Sequence, residues 1–175
     1  MRPASDEHPP EQGNYIGLVP DGEIVAQLAY QIRETIATLS DLPDSAGDYR
    51  YAAGKWSLKE VLAHMIDSER VFSFRALCFA RGDQNPLPGF EQDDYVRNSG
   101  SGARSLKNLL EEFETVRKAT VLLFQSLNTQ AWSRRGIASQ NQVSVRALAW
   151  MIAGHELHHR SGIQENYSVV LNRQP

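Results

Sequence analysis

Apolar residues recur every three or four positions in four long segments of this chain, and no convincing strand-like alternation stands beside them. A period of 3.6 is that of the α-helix, and a helix with one apolar face must bury it against another element. The first segment runs through Ile24, Leu28, Ile32 and Ile36, with Asp21 as the expected cap and an end near Ser40. The second has the clearest start: Ser57 followed by Glu60 is a capping box, and the helix should continue to about Arg81. Ser105 caps the third, which carries Leu109, Phe113, Val116, Thr120, Leu123 and Leu127 and breaks around Asn128 to Trp132. Ser144 caps the last, expected to reach at least Gly162 and to approach Tyr167.

Between these segments the chain turns polar and rich in Gly and Pro. Residues 42–56 contain Pro43, Gly47 and Gly54 and read as a connection. A stretch of roughly 20 residues from Gly82 to Gly102, with Pro86, Pro88 and Gly89, is long for a loop, and loops of that length often cover a site. Ser133 to Gln142 is another polar connection. The chain of 175 residues has room for one core. The expected architecture is therefore all-α: a four-helix bundle over residues 19–175, a long loop between its second and third helices, and a flexible N-terminal segment over residues 1–18.

Charge narrows the function classes. A net charge of -3 supplies no general positive field for nucleic acid or an anionic membrane, so neither is an expected partner. Residues 1–20 lack the apolar run of a secretory signal. No stretch approaches the roughly 20 apolar residues of a membrane span; Ala147 to Gly154 is the longest, and Arg75 interrupts Val71 to Ala80. Cys78 is the single cysteine, which excludes an internal disulfide, and a cytoplasmic location is expected. Glu111, Glu112, Arg117 and Lys118 read as a solvated helix face.

Five histidines remain, and three carry the chemistry. At about 100° per residue, Leu148, Ile152 and His159 fall within about 60° of His155, so His155 and His159 sit inside the apolar stripe of the last helix. Side chains at i and i+4 lie about 6 Å apart, which lets two imidazoles meet at one cation. His158 points about 100° away from His159 and is the weaker candidate. On the second helix, His64 flanks the stripe of Val61, Met65 and Phe72, with Ser57, Ser68 and Arg75 close in projection. A single inward histidine is more often a hydrogen-bonded core residue than a ligand. Several together need compensation of about 1–3 kcal/mol for each polar nitrogen left without a partner, and a metal ion would supply it.

The segment Lys55-Trp56-Ser57-Leu58-Lys59-Glu60-Val61-Leu62-Ala63-His64-Met65-Ile66-Asp67-Ser68-Glu69-Arg70 resembles the W-S-x-x-E-x-x-x-H-x-x-D-x-E segment of the DinB/YfiT-like superfamily. Ile152 to His159 resembles that family's second metal segment, and Pro88-Gly89-Phe90 through Tyr95-Val96 its central loop. The resemblance spans most of residues 20–165. It implies a four-helix bundle binding a divalent metal through His64, His155 and His159. It also implies a homodimer and a metal-dependent hydrolase, or a thiol-dependent transferase or isomerase acting on a small molecule with a low-molecular-weight thiol.

Three neutral imidazoles leave at least one coordination position free, the pattern of a catalytic zinc site, and both Zn²⁺ and Ni²⁺ suit such ligands. Asp67, one turn beyond His64, and Glu156, about 100° from His155, are the candidate catalytic carboxylates; a surface or structural role is the plainer reading of each. Arg75 could anchor an anionic substrate or pair with a carboxylate. Two other readings stand: a non-catalytic metal-binding or stress-related interaction bundle, and a zinc peptidase, because His155-Glu156-Leu157-His158-His159 matches H-E-x-x-H. The peptidase expects an active-site strand that a helical pattern does not supply.

Overall fold

A computed structural model describes residues 1–172. The four expected helices are α2 (Ile24–Leu39), α3 (Leu58–Ala80), α5 (Leu106–Gln125) and α7 (Val145–Asn166). Shorter helices α1 (Gly13–Leu18), α4 (Gln92–Asn98), α6 (Thr129–Ser133) and α8 (Ser168–Leu171) fill the connections, together with strands β1 (Arg135–Ala138) and β2 (Asn141–Ser144). The close pairs are α2 with α5, α5 with α3, α3 with α7, and α7 with α2. The bundle is thus a closed ring in which α2 and α3, neighbours in sequence, stand diagonally opposed.

The caps explain where the helices begin. Ser57 Oγ accepts the Glu60 N–H at 3.2 Å while the Glu60 carboxylate accepts the Ser57 N–H at 2.7 Å, so both backbone donors are satisfied reciprocally. Ser144 and Ser105 accept from Ala147 and Asn108 in the same way. At α2 the expectation of Asp21 is corrected. The cap is Glu23, whose carboxylate accepts from the Val25 and Ala26 N–H groups, while Asp21 pairs with Arg2.

Three segments differ from the sequence reading. Residues 1–18, expected as a flexible lead, pack on the bundle: Ile16 and the adjoining Val19 are buried, and the buried Glu7 carboxylate binds Arg146 and Ser144. Gly154 permits this closeness, because a Cβ there would stand 2.0 Å from the Tyr15 carbonyl oxygen. The polar stretch 133–142 holds the first strand, the turn and the start of the second strand of an antiparallel hairpin that pairs Arg135 with Ser144 and Ala138 with Asn141. Its two-residue turn, Ser139-Gln140, has φ of 51° and 67°, the left-handed pair that suits the twist of a tight hairpin. The long loop after α3 contains α4, and Leu87 adds a rung to the hairpin through Ile137 and Ser139.

Apolar side chains form two clusters. One joins α1, the start of α2, the second half of α3, the end of α5, the hairpin, α6 and the first half of α7, with Trp150 wholly buried; the other joins the rest of α2, the first halves of α3 and α5 and the end of α7 around Leu58, Leu62 and Phe113. The histidines sit where the two meet, between α3 and α7. No described helix is long and apolar enough to cross a membrane.

Candidate metal centre

Helices α3 and α7 pack side by side, and this brings His64 to His155 and His159. His155 Nε2 lies 3.0 Å from His64 Nε2 and 3.1 Å from His159 Nε2, and the three ligand atoms are all within 4.8 Å of one another. Neighbouring ligands about 2.0–2.1 Å from a tetrahedral zinc stand roughly 3.3 Å apart, so the donor set fits one such ion. Aromatic rings enclose it. Trp56 lies 4.9 Å from the His64 ring, Tyr15 lies 5.5 Å and Phe72 6.1 Å from that of His155.

Burial sets the protonation. Loss of water pushes His64 down to about 4 and His159 to about 3, and His155, fully enclosed, also lies well below the ordinary histidine value. The neighbouring imidazoles deepen the shift at His155 and His159. All three rings are therefore neutral at pH 7 and carry the lone pairs that a cation requires.

Over His159 opens a groove of about 740 Å³, lined by Tyr51, Lys55, Trp56, Asp93 and Asn166 among others. That volume suits a small molecule. Asp93, on α4, is exposed, and its charge opposes the fall of the His64 pKa. Neither Asp93 nor Tyr15 was singled out from sequence. The length of the loop was the available signal for Asp93; Tyr15 gave none, because the N-terminal segment read as flexible. His158 is exposed and lines the groove, its ring edge-on to Tyr15 and His159.

The two candidate catalytic carboxylates are placed elsewhere. Glu156 is 2% exposed and belongs to an ion cluster: Thr35 Oγ1 donates to one oxygen at 2.5 Å and Arg117 Nη1 to the other at 2.7 Å. Both oxygens are engaged, so it is neither a free base nor part of a solvated face. Arg117, expected on a solvated face, is 1% exposed and also grips Glu69 through Nε and Nη2. Asp67 is half-buried among Arg70, Glu112 and Arg104 and is absent from the lining of the groove; burial pushes its carboxyl above the usual range. Arg75 is buried and meets no carboxylate within ion-pair distance among the described residues.

YfiT from Bacillus subtilis, a probable metal-dependent hydrolase with an unusual four-helix bundle topology, superposes with a TM-score of 0.73 at 14% identity, over 97% of this chain and 93% of that one. The mycothiol-dependent maleylpyruvate isomerase superposes with a TM-score of 0.68 at 14% identity, over 90% of this chain and 62% of the isomerase. The DinB-like protein YjoA from Bacillus subtilis gives 0.59 at 18% identity, over 85% and 91%. These likenesses establish a shared fold. No curated protein sequence matches the chain. The sequence profile of the DinB superfamily, however, matches residues 27–163, which span both histidine segments and all four long helices except the two ends of the bundle, and the chain is a member of that superfamily.

Proposed function

We propose that this protein is a metal-dependent enzyme of the DinB type, in which His64, His155 and His159 hold one divalent ion, Zn²⁺ or Ni²⁺, against a small molecule in the groove. The observation that carries the reading is the meeting of three neutral imidazole nitrogens, two of them buried and the third, from His159, in the lining of an open groove. An ion bound there would supply Lewis-acid activation of water, for hydrolysis, or of a thiol, for transfer. The chain's own residues do the rest. The three rings act as neutral donors, and the aromatic cuff of Trp56, Tyr15 and Phe72 keeps water from their far side. Asp93, in the lining of the groove, is the carboxylate that would take up the proton water or a thiol gives up, and Lys55 adds a cation to the same lining.

Hydrolysis and thiol transfer are both compatible with this layout. YfiT and the mycothiol-dependent isomerase, similar in fold, stand one on each side. The test is a screen of zinc- and nickel-loaded protein against esters, amides and thiol–electrophile pairs, with metal content measured in parallel. Turnover should vanish in His64→Ala together with the bound metal. In Asp93→Asn it should fall by about 10²–10⁴-fold with metal retained, the usual contribution of a general base. Tight metal binding with no turnover across the panel would instead identify a non-catalytic metal-binding module.

A further inference from the structure

Past the histidines the groove changes character. Trp56 lies against the His64 ring, Tyr167 donates its hydroxyl to the Trp56 carbonyl at 2.6 Å, and the Tyr51 ring meets that of Tyr167 edge-on at 5.4 Å. All three line the groove, so aromatic rings succeed one another from His64 out to Tyr51, which is 39% exposed. Lys55 Nζ stands 6.0 Å from the centre of the Tyr51 ring, the outer reach of a cation–π contact. The same lining carries two carboxylates, Asp93 and Glu165, against Lys55 as its single lysine or arginine, an excess of one negative charge among these groups.

The pitch of α7 places Glu165. It follows His159 by six residues and His158 by seven, which is about 9–10 Å along the axis at 1.5 Å per residue. Seven steps of about 100° return to within about 20° of the starting direction, so Glu165 shares the groove-lining side of α7 with His158, two turns back. Ser161 Oγ, one turn before it, donates to Oε1 at 2.7 Å and steadies the carboxylate. Among the described residues no lysine or arginine lies within ion-pair distance of Glu165, so its second oxygen meets no internal cation.

We propose that the substrate of this groove is cationic: a small molecule whose ammonium group lies about 10 Å from its reacting end and is held by Glu165 and the aromatic wall. The inference rests on the reading of the groove as a substrate site over the histidines. A carboxylate and the faces of exposed rings both favour an ammonium and disfavour a carboxylate or phosphate in its place. A divalent ion beside His159 would repel the same ammonium, but at about 9–10 Å that repulsion is screened, since the Debye length is about 8 Å at physiological ionic strength. Direct contact with Glu165 is screened far less. The groove therefore has a polarity, with an electron-rich reacting end toward the histidines and the cation toward Glu165.

The test uses the full chain, zinc-loaded, and three hydroxamates that share a zinc-binding head and one linear chain long enough to span from His159 to Glu165. The chains end in an ammonium, a hydroxyl or a carboxylate. Calorimetry at constant ionic strength gives Kd for each probe in the wild type and in Glu165→Gln, a change at an exposed position that keeps the shape and removes the charge. The ammonium probe should bind about three- to tenfold more tightly than the carboxylate probe, the scale of a solvent-facing ion pair, with the hydroxyl probe between them. Glu165→Gln should remove most of that preference and leave the affinities for the hydroxyl probe and for zinc unchanged. Equal binding of all three probes, tighter binding of the carboxylate, or a preference that survives in Glu165→Gln would overturn the inference and leave the groove standing as a substrate site. No binding of any probe to protein that retains its zinc would instead remove the reading of the groove, and the inference with it.

Discussion

Replacing Arg117 by Met should be among the most damaging single changes outside the histidines. The guanidinium donates to Glu69 at 2.8 and 2.7 Å, to Glu156 at 2.7 Å and to the Leu28 carbonyl at 2.9 Å, tying α5 to α3, α7 and α2 at once. Methionine fills most of the volume but leaves two carboxylates, 3% and 2% exposed, without their counter-ion. Breaking a buried ion pair from one side costs about 3–5 kcal/mol, against a total stability of roughly 5–15 kcal/mol for a domain. At about 2–4 °C per kcal/mol for a chain of this size, the melting temperature should fall by roughly 6–20 °C. Thermal and urea melts at pH 7, with metal removed by chelation, measure this directly. The triple variant Arg117→Met, Glu69→Leu, Glu156→Leu should recover most of the loss, since apolar replacement of a whole buried cluster is often neutral. A single-variant loss below about 1 kcal/mol would show that water reaches the cluster, and the reasoning from burial would fail.

Three further outcomes follow from the same geometry. For the metal-free protein, His64 has a folded pKa of about 4 against an unfolded value of 6.5, so its contribution is fully present above pH 6.5 and is lost as pH falls toward 4. That loss amounts to about 3 kcal/mol; urea midpoints from pH 7.5 to 4.5 should fall with a slope reduced in His64→Ala, and equal slopes would contradict it. Gly154→Ala places a Cβ 2.0 Å from the Tyr15 carbonyl oxygen and should cost about 1–3 kcal/mol by overpacking, read as a lower melting temperature. Deleting residues 1–19 removes buried Ile16 and Val19, worth about 3–6 kcal/mol together as an upper figure, and uncovers His155. The truncated chain should melt lower and hold zinc more weakly in a competition titration, and an unchanged zinc affinity would show that Tyr15 does not support the site.

The long helices were legible because each carries a capping side chain and an apolar stripe, both local properties of sequence. The three histidines were legible for the same reason: His155 and His159 share a stripe, and His64 flanks another. What escaped were contacts between elements distant in sequence. Arg117 follows Phe113 by one turn and shares the buried stripe of α5, which was the local sign; the partners that make a charge tolerable there are 48 and 39 residues away and left no local mark. The hairpin offers only Ile137 and Val143 as strand-like residues, and its turn uses Ser-Gln where Asn-Gly would have announced it. Glu156 shows the cost of reading a motif alone. H-E-x-x-H promised a base, and the fourth-dimension of that promise, which helix stands opposite, is set by α2 and α5.

The order of synthesis gives the packing of α1 on α7 a particular weight. Glu7 meets its partner 139 positions later, and Tyr15 waits for His155 just as long. At about 5–20 residues per second, a ribosome needs roughly 7–28 seconds to deliver that partner, and throughout this interval Ile16 and Val19 lack the α7 part of the cluster that buries them. The ion pair of Glu7 and the edge contact of Tyr15 are thus among the last tertiary contacts that synthesis allows to close.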